Sequence, residues 1–237
     1  NTGNQEIIQR LKTAESPWAL VSGCTKEPYV VCDPETFDDE IMMFFSAQDA
    51  EGKAKQLNEA GIPVGIVKLE KRQMLLFYTS LYTMGINALL VSEGDTQTRI
   101  QLADFVRRNK PEQDPEGKLL VENPSLHLTA LYNMQETMEP SVQEENPQIK
   151  EWQDEISNYF SKGSFIAAVQ KEGNGIPVVK LNDKEVYKAI FTDIMEFQKL
   201  NKENQLRPIV VTADRITQIL VSEATRVLLN TMGVRKT

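Results

Sequence analysis

The side chains best suited to chemistry in this sequence are few and widely spaced. His127 is the only histidine, and it lies among the apolar residues of a predicted helix. A nucleophilic pair of His127 with Cys24 or Cys32 would need a third group to orient the histidine. No spacing in the chain supplies that group. The sequence therefore favours a packed or surface histidine over a catalytic one.

Four carboxylates crowd into the turn before a predicted strand: Glu35, Asp38, Asp39 and Glu40. Oxygen ligands at this density suit a hard cation such as Ca²⁺. The alternating spacing and central glycine of a calcium loop are missing, however, so a solvated acidic turn is favoured. The glycines are scattered and form no phosphate-binding loop. We therefore predict no catalytic residue, no metal site and no bound cofactor.

The order of elements is clearest in residues 187–230, where apolar and polar residues indicate strand, helix, strand, helix and strand. Residues 188–192 and 208–212 are β-forming runs, and Asp193 and Asp214 are predicted to cap the two helices. Residues 40–92 follow the same order. Identities between the two stretches are few, chiefly Leu57-Asn58 against Leu200-Asn201.

A hairpin is predicted before each stretch, over residues 18–31 and 165–179. We predict a tandem duplication in an α+β fold, with one α/β unit in residues 1–94 and another in residues 148–237, each a mixed β-sheet flanked by helices. Residues 95–147 match neither copy, and there we expect a helical connecting segment, with helices over 99–108 and 125–138, and an acidic linker over 139–147. The shared order also fits the ordinary alternation of an α/β chain.

Three short motifs resemble the amino-terminal domain of the SseB-like bacterial proteins: Phe191-Thr192-Asp193, Ile209-Val210-Val211 and Leu228-Leu229-Asn230. The family often has proline after that asparagine, where this chain has Thr231, and the first copy has Ser92 in place of the asparagine. The resemblance implies that each copy has the fold of that domain. No catalytic activity is agreed for the family. It carries over no catalytic or ligand-binding residue.

The helix predicted over residues 71–84 has an apolar face wider than the ~100° stripe that one core contact needs. Leu75, Tyr78 and Tyr82 lie on the additional side of that face. In one interpretation Phe105 or Leu131 covers them within the chain. In the other they form a surface for a partner protein or for self-association, because methionine and tyrosine are favoured at interfaces.

Composition limits the classes of partner. A net charge of −8 argues against a general nucleic-acid surface, and no apolar run approaches the ~20 residues that span a bilayer. Cys24 and Cys32 are not opposite each other in the predicted hairpin, so we expect thiols and a cytoplasmic location. The chain begins at Asn1 without methionine, which leaves open a preceding export signal and hence a secreted effector.

These observations predict a non-catalytic intracellular binding or interaction module that resembles the SseB-like proteins. Its partner is expected to be an unidentified protein or a second copy, with no nucleic acid, membrane or cofactor involved. The alternative is a small-ligand sensor or an enzyme with a site at the seam between the two repeats, since pockets favour domain interfaces.

Overall fold

The chain folds into an α+β structure with two mixed β-sheets, which confirms the fold class predicted from the sequence. The computed structural model describes residues 2–13, 16–108, 120–137, 146–173, 175–182, 185–219 and 226–230. The acidic linker predicted over 139–147 lies largely outside these ranges, and so does Thr231.

The chain divides into two units, each with one sheet. The first consists of Asn1–Lys110 with Leu128–Trp152, and the second of Pro111–His127 with Gln153–Thr237. Residues of the predicted middle segment, 95–147, thus belong to both units. Among the described helices, none is both long and apolar enough to cross a membrane.

The sheet of the first unit has six strands, and four helices belong to this unit alone. The strands are β1 (Trp18–Ser22), β2 (Val30–Cys32), β3 (Asp39–Phe44), β4 (Val64–Lys68), β5 (Ala88–Glu93) and β6 (Thr96–Gln101). The helices are α1 (Thr2–Thr13), α2 (Ala47–Glu59), α3 (Lys71–Thr83) and α4 (Leu102–Phe105). Two further helices, α5 (Pro124–Thr137) and α6 (Pro147–Lys162), contribute residues to both units.

Strand β3 is central in the first sheet, whose order is β4-β1-β3-β5-β6. It pairs antiparallel with β1 and parallel with β5, so most of its side chains are buried. This explains why the last four residues of the strand, 41–44, are a continuous apolar run rather than an alternating one. Helix α2 packs its Ala50 and Ala54 against Leu20 of β1 and Phe44 of β3.

Local residue types mark where two helices of the first unit start and end. The Ser46 hydroxyl accepts a hydrogen bond from the Asp49 amide at 3.1 Å and begins α2. Gly61 and Gly85 follow α2 and α3 with φ of 88° and 78°, a conformation that glycine adopts without steric cost.

The helix predicted over residues 99–108 is wrong. Residues Thr96–Gln101 form β6, which pairs antiparallel with β5 along its whole length. The connection between these strands is the two-residue turn Gly94-Asp95, in which Gly94 has φ of 58°. Only Leu102–Phe105 are helical, because a tight turn at Gly94 commits the following residues to the sheet.

The predicted hairpins have a different pairing. Around the first predicted turn, Val21 of β1 forms a single bridge with Pro28, which precedes β2, and the Tyr29 amide donates to the Leu20 carbonyl at 3.0 Å. Beyond this turn β1 and β2 both pair antiparallel with β3, and in the second unit β7 and β8 both pair antiparallel with β9. Strands β1 and β2 therefore lie end to end along the same edge of β3.

The second unit repeats this arrangement of strands. Its strands are β7 (Ser164–Gln170), β8 (Val178–Asn182), β9 (Glu185–Phe191), β10 (Leu206–Thr212) and β11 (Arg226–Leu229), and its helices are α7 (Ile194–Leu200) and α8 (Ala213–Ile219). The order is β10-β7-β9-β11, with β8 on β9. Every pair has the same direction as its counterpart in β4-β1-β3-β5 with β2 on β3. The shared topology is a fact of the structure, whereas common ancestry of the units stays a prediction.

One aligned identity has the same structural role in both units. The Asn58 side chain donates to the Val64 carbonyl at 2.8 Å and accepts from the Val64 amide at 3.2 Å. The Asn201 side chain does the same to Leu206, at 2.8 and 2.9 Å. Each asparagine thus joins the end of one helix to the first residue of the next strand.

Two predicted positions in the second unit need correction. Strand β10 begins at Leu206, so Pro208 is its third residue rather than its first. Proline is accommodated there because β10 is the end strand of the sheet among the described strands. Helix α8 begins at Ala213, so Asp214 lies in its first turn and is not the capping residue.

The acidic turn of the sequence surrounds an arginine. Glu40, at the start of β3, is buried, and its Oε2 lies 2.6 Å from Nε of Arg99 on β6. Nη2 of Arg99 also lies 2.8 Å from Asp33, and its Nε lies 3.7 Å from Asp38. These carboxylates raise the pKa of Arg99 still further, chiefly through its hydrogen bond to Glu40. The cation that these carboxylates contact is therefore the Arg99 guanidinium.

Replacing Arg99 with methionine is expected to lower the free energy of unfolding by ~3 kcal/mol, because Glu40 would remain buried without its cation. Urea unfolding followed by circular dichroism measures the loss. Replacing Glu40 with methionine in the same chain should recover much of it, since two apolar side chains then occupy the site.

The matched control is Lys55→Met, which removes an exposed ion pair with Glu59 and should change stability by less than ~1 kcal/mol. An equally small effect of Arg99→Met would show that Arg99 does not stabilise the buried carboxylate.

Candidate functional site

Helix α3 carries the three residues that the sequence singled out as an interaction surface. Leu75 is 70% exposed, and its neighbour Leu76 is 64% exposed. Tyr78 is only 2% exposed, and Tyr82 is partly buried. The structure therefore leaves Leu75 on the surface and places most of Tyr78 inside the first unit.

Tyr78 is covered by the segment that follows the first six strands. Its ring packs edge-to-face on Phe105 of α4, with the ring centroids 4.6 Å apart. Burial raises the pKa of the Tyr78 hydroxyl, and among the described residues this hydroxyl has no hydrogen-bond partner. Phe105 thus covers this part of α3 from within the chain, as one of the two interpretations expected.

Tyr82 is held by the same segment. Its hydroxyl donates a hydrogen bond to the Val106 carbonyl at 2.5 Å. The Arg108 guanidinium lies 5.8 Å from the centre of the Tyr82 ring, within the range of cation–π contacts. Burial raises the pKa of Tyr82, and the charge of Arg108 partly opposes that effect.

A cavity of about 370 Å³ opens between α1, α3 and the residues around α4. We call it the α3 pocket. Its apolar walls come from Leu11, Met74, Leu75, Tyr78, Phe105 and Val106, and its charged lining residues are Lys12, Lys71 and Arg107.

The charge of the α3 pocket is opposite to that of the whole chain. The three charged residues that line it are cations, each exposed, while the chain has a net charge of −8. Among the residues that the structure describes, no carboxylate, histidine or cysteine lines the pocket. The described lining therefore offers apolar contact and positive charge, which suit the binding of a ligand.

A second cluster of polar residues lies inside the second unit. His127, Thr192, Asp193 and Asn230 are each almost completely buried. The Thr192 hydroxyl lies 3.3 Å from His127 Nδ1 and donates to Asp193 Oδ2 at 2.8 Å. The Asn230 side chain accepts from the Thr192 amide at 2.8 Å and donates to its hydroxyl at 3.0 Å. Three of these residues belong to the motifs that carry the SseB-like resemblance.

Asp193 links this cluster to helix α7. Its side chain accepts a hydrogen bond from the Glu196 amide at 3.0 Å and caps the helix, as predicted. Burial alone would raise the pKa of Asp193, but the nearby His127 ring, the Glu196 amide and the Thr192 hydroxyl together hold it below its usual value. The cluster is enclosed by protein, so its evident role is to join α5, α7, β9 and the residue after β11.

The other candidates for chemistry are explained by their neighbours. Asp38 accepts hydrogen bonds from Asn87 and Gln101, and Asp39 accepts one from Tyr132 at 2.6 Å. In the part of the chain that the structure describes, no group of histidines, cysteines and carboxylates has a metal-binding arrangement. Cys24 and Cys32 are both in the thiol form, and burial and nearby carboxylates raise the pKa of Cys32, which disfavours its reactive thiolate.

The sequence located α3 but not the rest of the pocket. The width of its apolar face indicated a second contact, and Phe105 was one of the two residues expected to supply it. The sequence does not identify Lys12 and Arg107 as pocket residues. Lys12 lies 59 residues before Lys71 and Arg107 lies 36 residues after it, and only the tertiary fold brings the three together. A cation at the end of an amphipathic helix was the available signal for Lys12.

The chain matches no protein-family model and no curated protein. Among solved structures it is similar to Anabaena Tic22 (protein transport), with 12% identity and a TM-score of 0.24 over 95% of this chain and 91% of that one. It is also similar to Tic22 from Plasmodium falciparum, with 12% identity and a TM-score of 0.23 over 94% and 90% of the two chains. Membership of the SseB-like family stays a prediction.

Replacing Asp193 with asparagine is expected to destabilise the protein by ~1–2 kcal/mol near neutral pH, because a charged helix cap and acceptor becomes neutral. The lowered pKa of Asp193 means that its contribution is present above the unfolded value of ~3.9 and disappears as the pH falls through the folded value. The difference between wild type and variant should therefore shrink below about pH 4. Urea unfolding at several pH values measures this difference.

The control is Asp154→Asn on the exposed face of α6, which removes the same charge. A gap between wild type and Asp193→Asn that stays constant from pH 7 to pH 3 would contradict the ionised, hydrogen-bonded state of Asp193.

Replacing Tyr82 with glutamate is expected to lower the free energy of unfolding by ~2 kcal/mol, because a charge would be placed in a partly buried site. Tyr82→Phe removes only the hydrogen bond to Val106 and should cost ~1 kcal/mol. Thermal or urea unfolding distinguishes the two. Full stability of the glutamate variant would show instead that Tyr82 is free to face a partner.

Proposed function

We propose that this protein is a non-catalytic binding module and that a partner protein docks on α3 through Leu75 and Leu76. One observation carries the proposal: two adjacent leucines are each about two-thirds exposed on a helix whose opposite side is buried through Met74, Tyr78 and Leu81. Large side chains in such a position favour contact with another apolar surface over water.

The charge beside these leucines indicates the chemistry of the partner. Lys71 and Arg72 are exposed in the first turn of α3, and Lys12 and Arg107 line the adjoining pocket. An apolar patch bordered by cations is complementary to an apolar patch bordered by carboxylates. The proposed partner therefore presents an acidic rim around an apolar centre.

The resemblance to SseB-like proteins and the cytoplasmic location are part of this proposal. Support for the family comes from Phe191-Thr192-Asp193 and Leu228-Leu229-Asn230, whose polar members form one hydrogen-bonded cluster. Support for a reducing compartment comes from Cys24 and Cys32, which are thiols.

A second candidate is the binding of a small ligand. The observation that favours it is the α3 pocket, because its volume of about 370 Å³ lies within the range of small-molecule sites, ~300–1,000 Å³.

Native mass spectrometry of gently purified protein tests the proposed docking, with wild type compared with the Leu75→Asp, Leu76→Asp double variant. We expect wild type to carry a second polypeptide that the variant loses while it keeps its fold by circular dichroism. The matched control is Phe37→Asp, which changes another residue that is 76% exposed and should retain the partner.

The bare monomer mass in wild type would contradict the proposal, and so would a partner that all three proteins retain equally. A multiple of the chain mass would identify a second copy as the occupant in place of a different protein. A bound species of a few hundred daltons would favour the small-ligand candidate.

A further inference from the structure

We infer that the α3 pocket binds a small amphipathic acid, a molecule with an apolar chain or ring and one carboxylate. This goes beyond the docking of a protein on Leu75 and Leu76, because it assigns a ligand to the cavity beside them. Its volume of about 370 Å³ is sufficient for such a molecule.

The apolar part of the ligand is matched by the pocket walls. Leu11, Met74 and Phe105 are buried residues that line the cavity, and they come from three different helices. Methionine adapts its shape to irregular apolar ligands because its side chain is unbranched and polarisable. These walls therefore favour a hydrocarbon or aromatic group. They do not select one exact ligand shape.

The acidic part of the ligand is matched by the charges. Lys12 of α1, Lys71 of α3 and Arg107 after α4 all line the pocket, and none of the described lining residues is acidic. Within the described part of the chain, none of the three forms an ion pair with a carboxylate. Three cations around one opening repel one another, and a bound carboxylate reduces that repulsion. A cationic ligand of the same shape would increase it.

The buried Tyr78 hydroxyl is a further sign that the wall of the pocket is incomplete without a ligand. Tyr78 lines the cavity, and its hydroxyl has no hydrogen-bond partner among the described residues. Such a group costs ~1–3 kcal/mol when it is left unsatisfied, so it needs an explanation in a native fold. An oxygen of the inferred ligand is the acceptor that this hydroxyl lacks.

The test is calorimetric titration of the full chain with decanoate and with decyltrimethylammonium, both below the concentrations at which they form micelles. The two probes have the same apolar chain and opposite charges. We expect one decanoate per chain, bound at least tenfold more tightly than the cation. With methyl-labelled methionine, the NMR signal of Met74 should shift on binding.

Charge reversal locates the site. The Lys71→Glu, Arg107→Glu double variant should weaken decanoate binding by at least tenfold, and higher salt should weaken binding to wild type. The control is the Lys55→Glu, Lys202→Glu double variant, which makes the same change in net charge at exposed positions outside the pocket and should bind within twofold of wild type.

Three results would overturn the inference: no saturable binding of decanoate, equal affinity for the two probes, or equal effects of the two double variants. The proposed docking has a separate outcome. If decanoate fails to bind while Leu75→Asp, Leu76→Asp still loses the partner protein, the ligand is wrong and the docking surface stands.

Discussion

A carboxylate that is removed from water must find a partner inside the protein, and each unit is arranged around one such group. In the first unit Glu40 lies at the start of the central strand β3, and its cation is Arg99, 59 residues later on β6. In the second unit Asp193 follows the corresponding strand β9, and the Thr192 hydroxyl and the Glu196 amide satisfy it. Neither charge is tolerable alone at these levels of burial. In the first unit the contact constrains where β6 lies relative to β3. In the second unit the partners are close to Asp193 in the chain, so the contacts fix the start of α7 and not the sheet order.

The helix-to-strand connections obey a related rule, since a buried or partly buried backbone group also needs a partner. Asn58 and Asn201 provide both a donor and an acceptor to the first residue of the following strand. An aspartate would keep the acceptor and lose the donor, and an alanine would lose both. This explains why the identity occurs at a position where little else is shared. The physical need is the same in both units, whatever their ancestry.

Much of the fold follows from local patterns in the sequence, whereas the site does not. The apolar runs of β3 and β9, the Ser46 and Asp193 caps and the glycines after α2 and α3 all act within a few residues, so their types predict the elements. The helical spacing of Ile100 and Ala103 predicts a helix that includes Arg99, whereas the tight turn at Gly94 places Arg99 in β6. The sequence also does not predict the strand pairing, because β1 and β2 form their ladders with β3 and not with each other. The α3 pocket depends on Lys12, Lys71 and Arg107, which only the tertiary fold places together.

Strand β10 ends its sheet in the described part of the chain, and Pro208 lies inside it. Proline has no amide hydrogen to offer a neighbouring strand, and the backbone of Leu206 is already engaged by Asn201. An additional strand could not form a continuous ladder along this border. Pro208 and the Asn201–Leu206 contact therefore protect the sheet against edge-to-edge association and aggregation. For the same reason this edge resists β-augmentation, in which a strand of a partner adds to the sheet.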